Sequence, residues 1–439
     1  MKLFDENTLA SACKECHVGS IKSASIMERS AVSALLEKRT GLEFVHLELG
    51  SPGFEMNPYG VAAEKEALDM GLGAGYPPIG GLPEARQAVS RFVKAFLDID
   101  IPSDCVFMTC GSMQGSLTSF VAVSQRDKSR RKILFIDPCF SSQKTQIKML
   151  GRTLVSFDIH DFRGDALRDR LEQELSAGDV AGMIYSNPNN PAWICLEESE
   201  IKTIAELCEK YDVIPIEDMA YFCMDFRKPG YAVPGQPPYP PTIARYTSKY
   251  ILLQSASKIF SFAGQRVASM CIGPELCHTC YEGFAQRYGG LGEFGHTVGC
   301  DIIDMTTCGP ALTVQYAYAK MLNLSVDGVI NFVEDTREYG RRAHWMKKIF
   351  MAHGFSLVYD RDVTEGLGDG FFFTVSYPGM ESGELSAELM SYGVSTVSLT
   401  SSGSINPGVR ICSSRIHDHQ FDLLEERMAA FQADHPVAL

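Results

Sequence analysis

From Val106 onward the chain alternates two kinds of segment with little between them. Short, near-continuous apolar runs at 106–108, 133–136, 153–157, 182–185 and 213–216 are separated by amphipathic stretches such as EESEIKTIAELCEKY. A strand that is apolar on both sides must be covered on both sides, and helices between successive strands do this. The pattern predicts an α/β fold built on a mainly parallel sheet between helix layers. The stretch ILLQSASKIFSFAGQRVASMCIG, residues 251–273, adds two strands and brings the expected total to seven. In such sheets, ligands settle in the crevice at the carboxyl ends of the strands.

Lys258 sits at one of those ends, between Ser257 and Ile259. A surface lysine ordinarily lies on a polar helix face. At a buried strand end its cation loses hydration, its pKa falls, and it becomes the nucleophilic amine that Schiff-base chemistry needs. Other strand ends carry polar groups as well. Thr109-Cys110-Gly111-Ser112-Met113-Gln114 joins a strand to a helix, and the backbone N–H groups of such a helix start favour a phosphate. Asp137-Pro138-Cys139-Phe140 offers a ring for stacking on a planar group, although many such rings are core. Ser186-Asn187-Pro188-Asn189-Asn190-Pro191 forces a rigid turn that aims side-chain amides outward, with helix capping as the plainer reading. Asp218-Met219-Ala220-Tyr221 supplies a carboxylate for a protonated ring nitrogen and a tyrosine within reach of the same ring. Gly264 and Arg266 follow Lys258, the arginine being suited to two-pronged phosphate contact. Near the C-terminal end, Arg410 lies in an otherwise apolar strand, where it needs either an anionic substrate or a structural partner.

The order Gly-Ser-Met-Gln, Asp-Pro-x-Phe, Asn-Pro-x-Asn-Pro, Asp-x-x-Tyr, Ser-x-Ser-Lys, Gly-x-Arg and a late arginine resembles the fold-type-I enzymes that use pyridoxal 5′-phosphate (PLP). Among these it is most similar to the class I/II aminotransferases. The resemblance spans roughly residues 49–412 and implies the PLP-transferase fold type I, with a seven-stranded mainly parallel sheet in a large domain and a smaller α+β domain. It also implies roles. Lys258 would hold the cofactor aldehyde and shuttle a proton, and Asp218 would keep the pyridine nitrogen protonated. Tyr221 and Asn190 would bond the ring oxygen while Phe140 stacks on the ring. Ser112, the Met113 backbone, Ser255 and Arg266 would cradle the phosphate, assisted by Ser257. Tyr76 would reach the phosphate of a neighbouring subunit, which implies a homodimer with shared active sites. Arg410, helped by the Gly50 backbone, would bind the substrate α-carboxylate. One departure is Ala192-Trp193, where the family usually has Thr-Gly; the bulky Trp193 is expected to reshape the loop and bear on substrate class.

The resulting expectation is transamination between an α-amino acid and a 2-oxo acid. The alternatives are a PLP-dependent α,β-lyase acting on carbon–sulfur bonds, and a non-catalytic PLP-binding regulator. A nucleotide-binding dehydrogenase is disfavoured because no G-x-G-x-x-G follows the first strand. The 439 residues exceed one ordinary core, which predicts an N-terminal arm with part of the small domain at 1–60, a large domain at 61–325 and a small domain at 326–439. A net charge of −14 argues against a nucleic-acid partner, and no apolar run is long enough for a membrane span. The start, MKLFDENTLA, lacks an export pattern, so the fourteen cysteines are expected as reduced thiols in a cytoplasm. Cys13-x-x-Cys16-His17 and Cys277-x-x-Cys280 have haem or zinc spacing, but without export and lying far apart they are read as scattered thiols, and no metal is expected. The segment to about residue 39 is expected as a polar arm followed by a helix, 44–49 as a short strand, the proline-rich 228–241 as a surface loop, 286–295 as a flexible stretch, and NFVEDTREYGRRAHWMKKIF as one long helix.

Overall fold

The computed structural model describes residues 2–437. Seven strands form the large sheet: β2 (Val106–Thr109), β3 (Lys132–Asp137), β4 (Thr153–Asp158), β5 (Val180–Ser186), β6 (Ile214–Met219), β7 (Ile251–Ser255) and β8 (Ala268–Ile272). The short β1 (Val45–His46) precedes them. Their order across the sheet is β2-β8-β7-β6-β5-β3-β4. Only β8 runs antiparallel to its neighbours, β2 and β7. The other six therefore share one direction, and their carboxyl ends line up along one edge. Every residue of β2, β6, β7 and β8 is buried, as two-sided coverage by helices requires. The architecture is the expected seven-stranded mainly parallel sheet with a second, smaller α+β region.

The antiparallel step has a consequence for position. A parallel connection would carry the chain back across a sheet face through a long crossover. The β7–β8 connection instead stays at the carboxyl edge, and it holds both Lys258 and Arg266.

A second sheet joins β9 (Ser356–Leu357), β10 (Phe372–Ser376), β12 (Val397–Ser398) and β13 (Val409–Cys412) in the order β12-β13-β10-β9, all antiparallel. The intervening β11 (Val394–Ser395) pairs in parallel with β1, which draws residues 45–46 to this end of the molecule. An apolar cluster of its own, including Val45, Leu47, Phe350, Phe373 and Phe431, lies beneath these strands. The larger cluster under the seven-stranded sheet runs mainly from Ala63 to Val333.

Four local expectations change. The N-terminal arm contains a helix, Glu6–Glu15, because Asp5 caps Thr8 and the Leu9, Ala12 and Cys13 stripe packs with Phe4, Val32, Leu36 and Phe44. The strand expected at 44–49 shrinks to the two residues that find a partner in β11. The expected long helix is two, Phe332–Thr336 and Glu338–Ala352, meeting at Arg337, and a helix at Leu312–Val326 precedes them. The 286–295 stretch is held rather than free: 286–288 finish the helix Glu282–Tyr288, Cys280 bridges Glu293, and Phe294 is buried. The 228–241 segment is a loop with one 3-10 turn at Pro229–Ala232.

Gly273 closes β8, and a Cβ there would lie 2.1 Å from the Ser248 carbonyl oxygen, which is backbone and cannot swing aside. Gly273→Ala is expected to cost about 1–3 kcal/mol, read as a lower midpoint of urea unfolding.

Candidate active site

The chain leaves β7 through the short helix Ala256–Ile259, whose start is capped by Ser255 Oγ accepting from the Ser257 N–H at 3.0 Å. Small residues allow this tight turn, and it lifts Lys258 off the sheet edge. The Lys258 Nζ donates to the Gly50 carbonyl and lies 5.2 Å from the centre of the Phe371 ring. Burial lowers its pKa from 10.5 to about 8, with the Arg410 and Arg266 charges acting in the same direction and Cys412 opposing. The amine is thus partly neutral near physiological pH, as a nucleophilic lysine must be.

Arg266 adopts the left-handed conformation, φ 53°, and donates from Nη1 to the Ala263 carbonyl at 2.6 Å. Its guanidinium lies against the start of the helix Gly111–Gln125, where a Cβ on Gly111 would come within 2.3 Å of Nη2. Glycine at 111 is needed both for this approach and for its own φ of 72°. Ser112 Oγ is buried there with no hydrogen-bond partner among the described residues. Arginine, an unpaired hydroxyl and the free N–H groups of a helix start form an anion cradle.

Across the cavity, Asp218 accepts from Gln143 Nε2 at 2.8 Å and from the Ala220 N–H at 3.2 Å. Burial raises its pKa from 3.8 to about 6, since two neutral donors do not compensate for lost water. Tyr221 is buried beside it, its phenol pushed well above the ordinary range chiefly by burial. Arg410, in β13, donates from Nη1 to Asn190 Oδ1 at 3.2 Å and from Nη2 to the Glu48 carbonyl. Its guanidinium stacks 4.6 Å from the Phe372 ring centre, and its buried Nε has no partner.

These groups line one cavity of about 290 Å³. It brings together Gly50, Ser112, Met113, Phe140, Asn190, Asp218, Tyr221, Ser255, Ser257, Lys258, Arg266 and Arg410. Tyr76 is not among them: it is 89% exposed, away from the cavity of its own chain. Sequence reasoning missed Gln143, which sits one turn into the helix after Phe140 without any motif around it, and missed Ile26, Met27 and Leu49 at the cavity wall. Trp193 is buried behind Tyr221 and Phe372, with ring centres 5.4 and 6.4 Å away, and does not line the cavity.

The donor set fits PLP. The cradle at Ser112 and Arg266 suits a phosphate dianion, the amine suits an aldehyde, and a buried carboxylate without a cation suits a protonated ring nitrogen.

The Asp218 shift can be read directly in the cofactor-free protein. Between pH about 4 and about 6 the folded chain holds a proton that the unfolded chain has released, so this group lowers stability as pH rises through that window. Asp218→Asn removes the effect. The variant should gain up to ~3 kcal/mol on the wild type between pH 4 and 7, measured by urea unfolding at each pH.

The family model for aminotransferase class I and II matches residues 44–289. A probable aspartate aminotransferase of Methanocaldococcus jannaschii is 25% identical over 248 residues, 56% of this chain and 61% of that protein. The aspartate aminotransferase of Pyrococcus horikoshii is 27% identical over 282 residues, 63% of this chain and 68% of that one. The matched stretches thus span about three fifths to two thirds of these relatives. Among solved structures, the aspartate aminotransferase of Thermus thermophilus with maleate superposes with a TM-score of 0.74 at 19% identity, covering 93% of this chain and 96% of its own. A Pyrococcus protein, A1, gives 0.76 at 20% identity, covering 97% and 99%. A match of the family model over more than half the chain, on this fold and this cavity, makes the chain a member of the class I and II aminotransferases, the PLP-dependent enzymes of fold type I.

Proposed function

We propose that the chain is a PLP-dependent aminotransferase that moves an amino group between an α-amino acid and a 2-oxo acid. The observation that carries this reading is a desolvated lysine amine facing the same cavity as a buried, cation-free carboxylate and a buried arginine. The family and the aminotransferase names of its relatives support it over the lyase and regulator alternatives.

When bound, PLP supplies an electron sink next to the substrate's Cα. The residues have separate tasks. Arg410 binds the substrate carboxylate through the Nε edge left free by Asn190 and Glu48, and the N–H at Gly50 assists. Holding that carboxylate turns the Cα–H toward Lys258 instead of the bond to the carboxyl carbon. Lys258 Nζ takes the proton from Cα, its lowered pKa keeping a share of the amine neutral for this step. Asp218 stays ionised against the ring nitrogen, oriented by Gln143. Tyr221 and Asn190 would hold the ring oxygen, Phe140 would pack on the ring, and Ser112, Met113, Ser255, Ser257 and Arg266 would bind the phosphate. The cavity walls Ile26, Met27 and Leu49 are apolar, and its cations are Lys258, Arg266 and Arg410.

The reading extends to assembly. Tyr76, exposed on its own chain, contacts the phosphate of a second copy, which makes the working form a homodimer. The two apolar clusters support an arm, a large domain and a small domain near the bounds 61–325 and 326–439, with Ile330, Phe332 and Val333 packing on the large core. Fourteen free thiols favour a reducing cytoplasm, and no described helix is long and apolar enough to cross a membrane.

Lys258→Ala should lower amino transfer by at least about 10²–10⁴-fold while the protein still retains PLP by dialysis, now without the absorbance of lysine-bound cofactor. Undiminished turnover in that variant, assayed with a panel of amino donors and 2-oxo acids, would refute the proposal.

A further inference from the structure

Far in sequence from the lysine turn, Cys105, Cys277 and His278 converge at the start of β2, the opposite end of that strand from Gly111. Cys105 ends the 3-10 turn Ser103–Cys105 that leads into β2, and Cys277 and His278 end the short helix Pro274–His278 that follows β8. The two sulfurs and one imidazole nitrogen all lie within 4.8 Å of one another. The Cys105 Sγ to His278 Nε2 separation is 3.6 Å. Two ligands of a tetrahedral zinc ion, with bonds of about 2.0–2.3 Å, stand about 3.5–3.8 Å apart. The spacing needs little adjustment to accept such an ion.

A second observation concerns the histidine. Its Nδ1 lies 2.9 Å from the Glu293 carboxylate. In the neutral ring this contact holds the proton on Nδ1 and leaves the Nε2 lone pair directed toward Cys105. A carboxylate on the far nitrogen is the usual support of a metal-binding histidine. Gly295 preserves the space, since a Cβ there would lie 2.4 Å from the Cys277 sulfur. Both cysteines are buried and His278 is half exposed, so the site has two firm ligands and an open side toward water. Asp104, 3.8 Å from Nε2, borders that side.

We propose that Cys105, Cys277 and His278 form a binding site for a soft divalent cation of the zinc class, with Glu293 as the positioning residue and water in the fourth place. The ion displaces one proton from each thiol, and two thiolates balance its two charges. It ties the turn before β2 to the helix after β8, a cross-link between neighbouring strands that does not involve the PLP cavity. The C-x-x-C spacing on which no metal was expected does not contain this grouping, in which Cys277 lies with Cys105 and His278.

The test uses PLP-loaded protein kept reduced with a non-chelating phosphine. Zinc titration followed by gel filtration should leave one ion per chain, release two protons per ion, and raise the melting temperature. Cobalt(II) in its place should give the visible d–d bands of a tetrahedral thiolate complex, recorded as difference spectra beyond the cofactor's own absorbance. Cys105→Ser should abolish these bands. His278→Ala, at a half-exposed position that leaves the fold intact, should weaken binding at least tenfold, and Glu293→Gln, which keeps all three ligands, by about 10–100-fold. Cys16→Ser, in the other Cys-rich motif, should change nothing, and amino transfer should persist in every variant. Absence of a tetrahedral cobalt spectrum, or a spectrum that survives Cys105→Ser and His278→Ala, overturns the proposal.

Discussion

The site depends on two charges that are taken out of water without being allowed to pair. Burial lowers the Lys258 amine to about 8 and raises the Asp218 carboxyl to about 6. Had these two groups formed an ion pair, the amine would be fixed as a cation and could not attack a carbonyl. The geometry prevents it. Asp218 lies within β6 opposite Leu253 of β7, so its strand neighbour is apolar and Lys258 comes only after the next turn. The amine then finds a neutral acceptor, the Gly50 carbonyl, and the carboxylate finds neutral donors in Gln143 and Ala220. Both remain poised to respond to an added charge of opposite sign.

That separation is a product of topology. Gly50 follows β1, which forms its own two-stranded sheet with β11, and Arg410 is carried on β13 of the four-stranded sheet. The sheet edge contributes Lys258, Asp218, Asn190 and the Arg266 cradle. The cavity is therefore lined by residues carried on both regions, Gly50 and Arg410 from one and Lys258, Asp218, Asn190 and Arg266 from the other. A buried arginine with an unpaired Nε and a serine with an unpaired Oγ are costly in a core. Both are placed where a ligand's carboxylate or phosphate could repay the lost hydration.

What was legible in the sequence was what is local. Strand ends, the Lys258 turn, the Gly111 helix start and Arg410 in its apolar strand each announce themselves within a few residues, and the one cavity gathers them. Gln143 has no such context: only the fold reveals that the first turn of its helix faces Asp218. The Cys105–Cys277–His278 cluster was invisible for the same reason, since its members meet only because β2 and β8 are neighbours. The N-terminal helix had a readable apolar stripe, yet its polar composition concealed it until Phe44 and Met390 supplied a surface to pack on.

Trp193 shows how a bulky residue can occupy a position that favours glycine without closing the cavity. Its φ of 65° is left-handed, a conformation that strains an ordinary side chain. Room for the ring comes from Gly370, where a Cβ would lie 2.0 Å from the indole. The indole then packs edge-on against Tyr221 and Phe372, and Phe372 in turn stacks under Arg410. The residue thus acts from behind, bracing Tyr221 and the Phe372 ring that lies against Arg410. Its own ring does not reach the cavity. The buried indole N–H has no partner, so the gain lies in packing and in the precision with which Tyr221 and Arg410 are held.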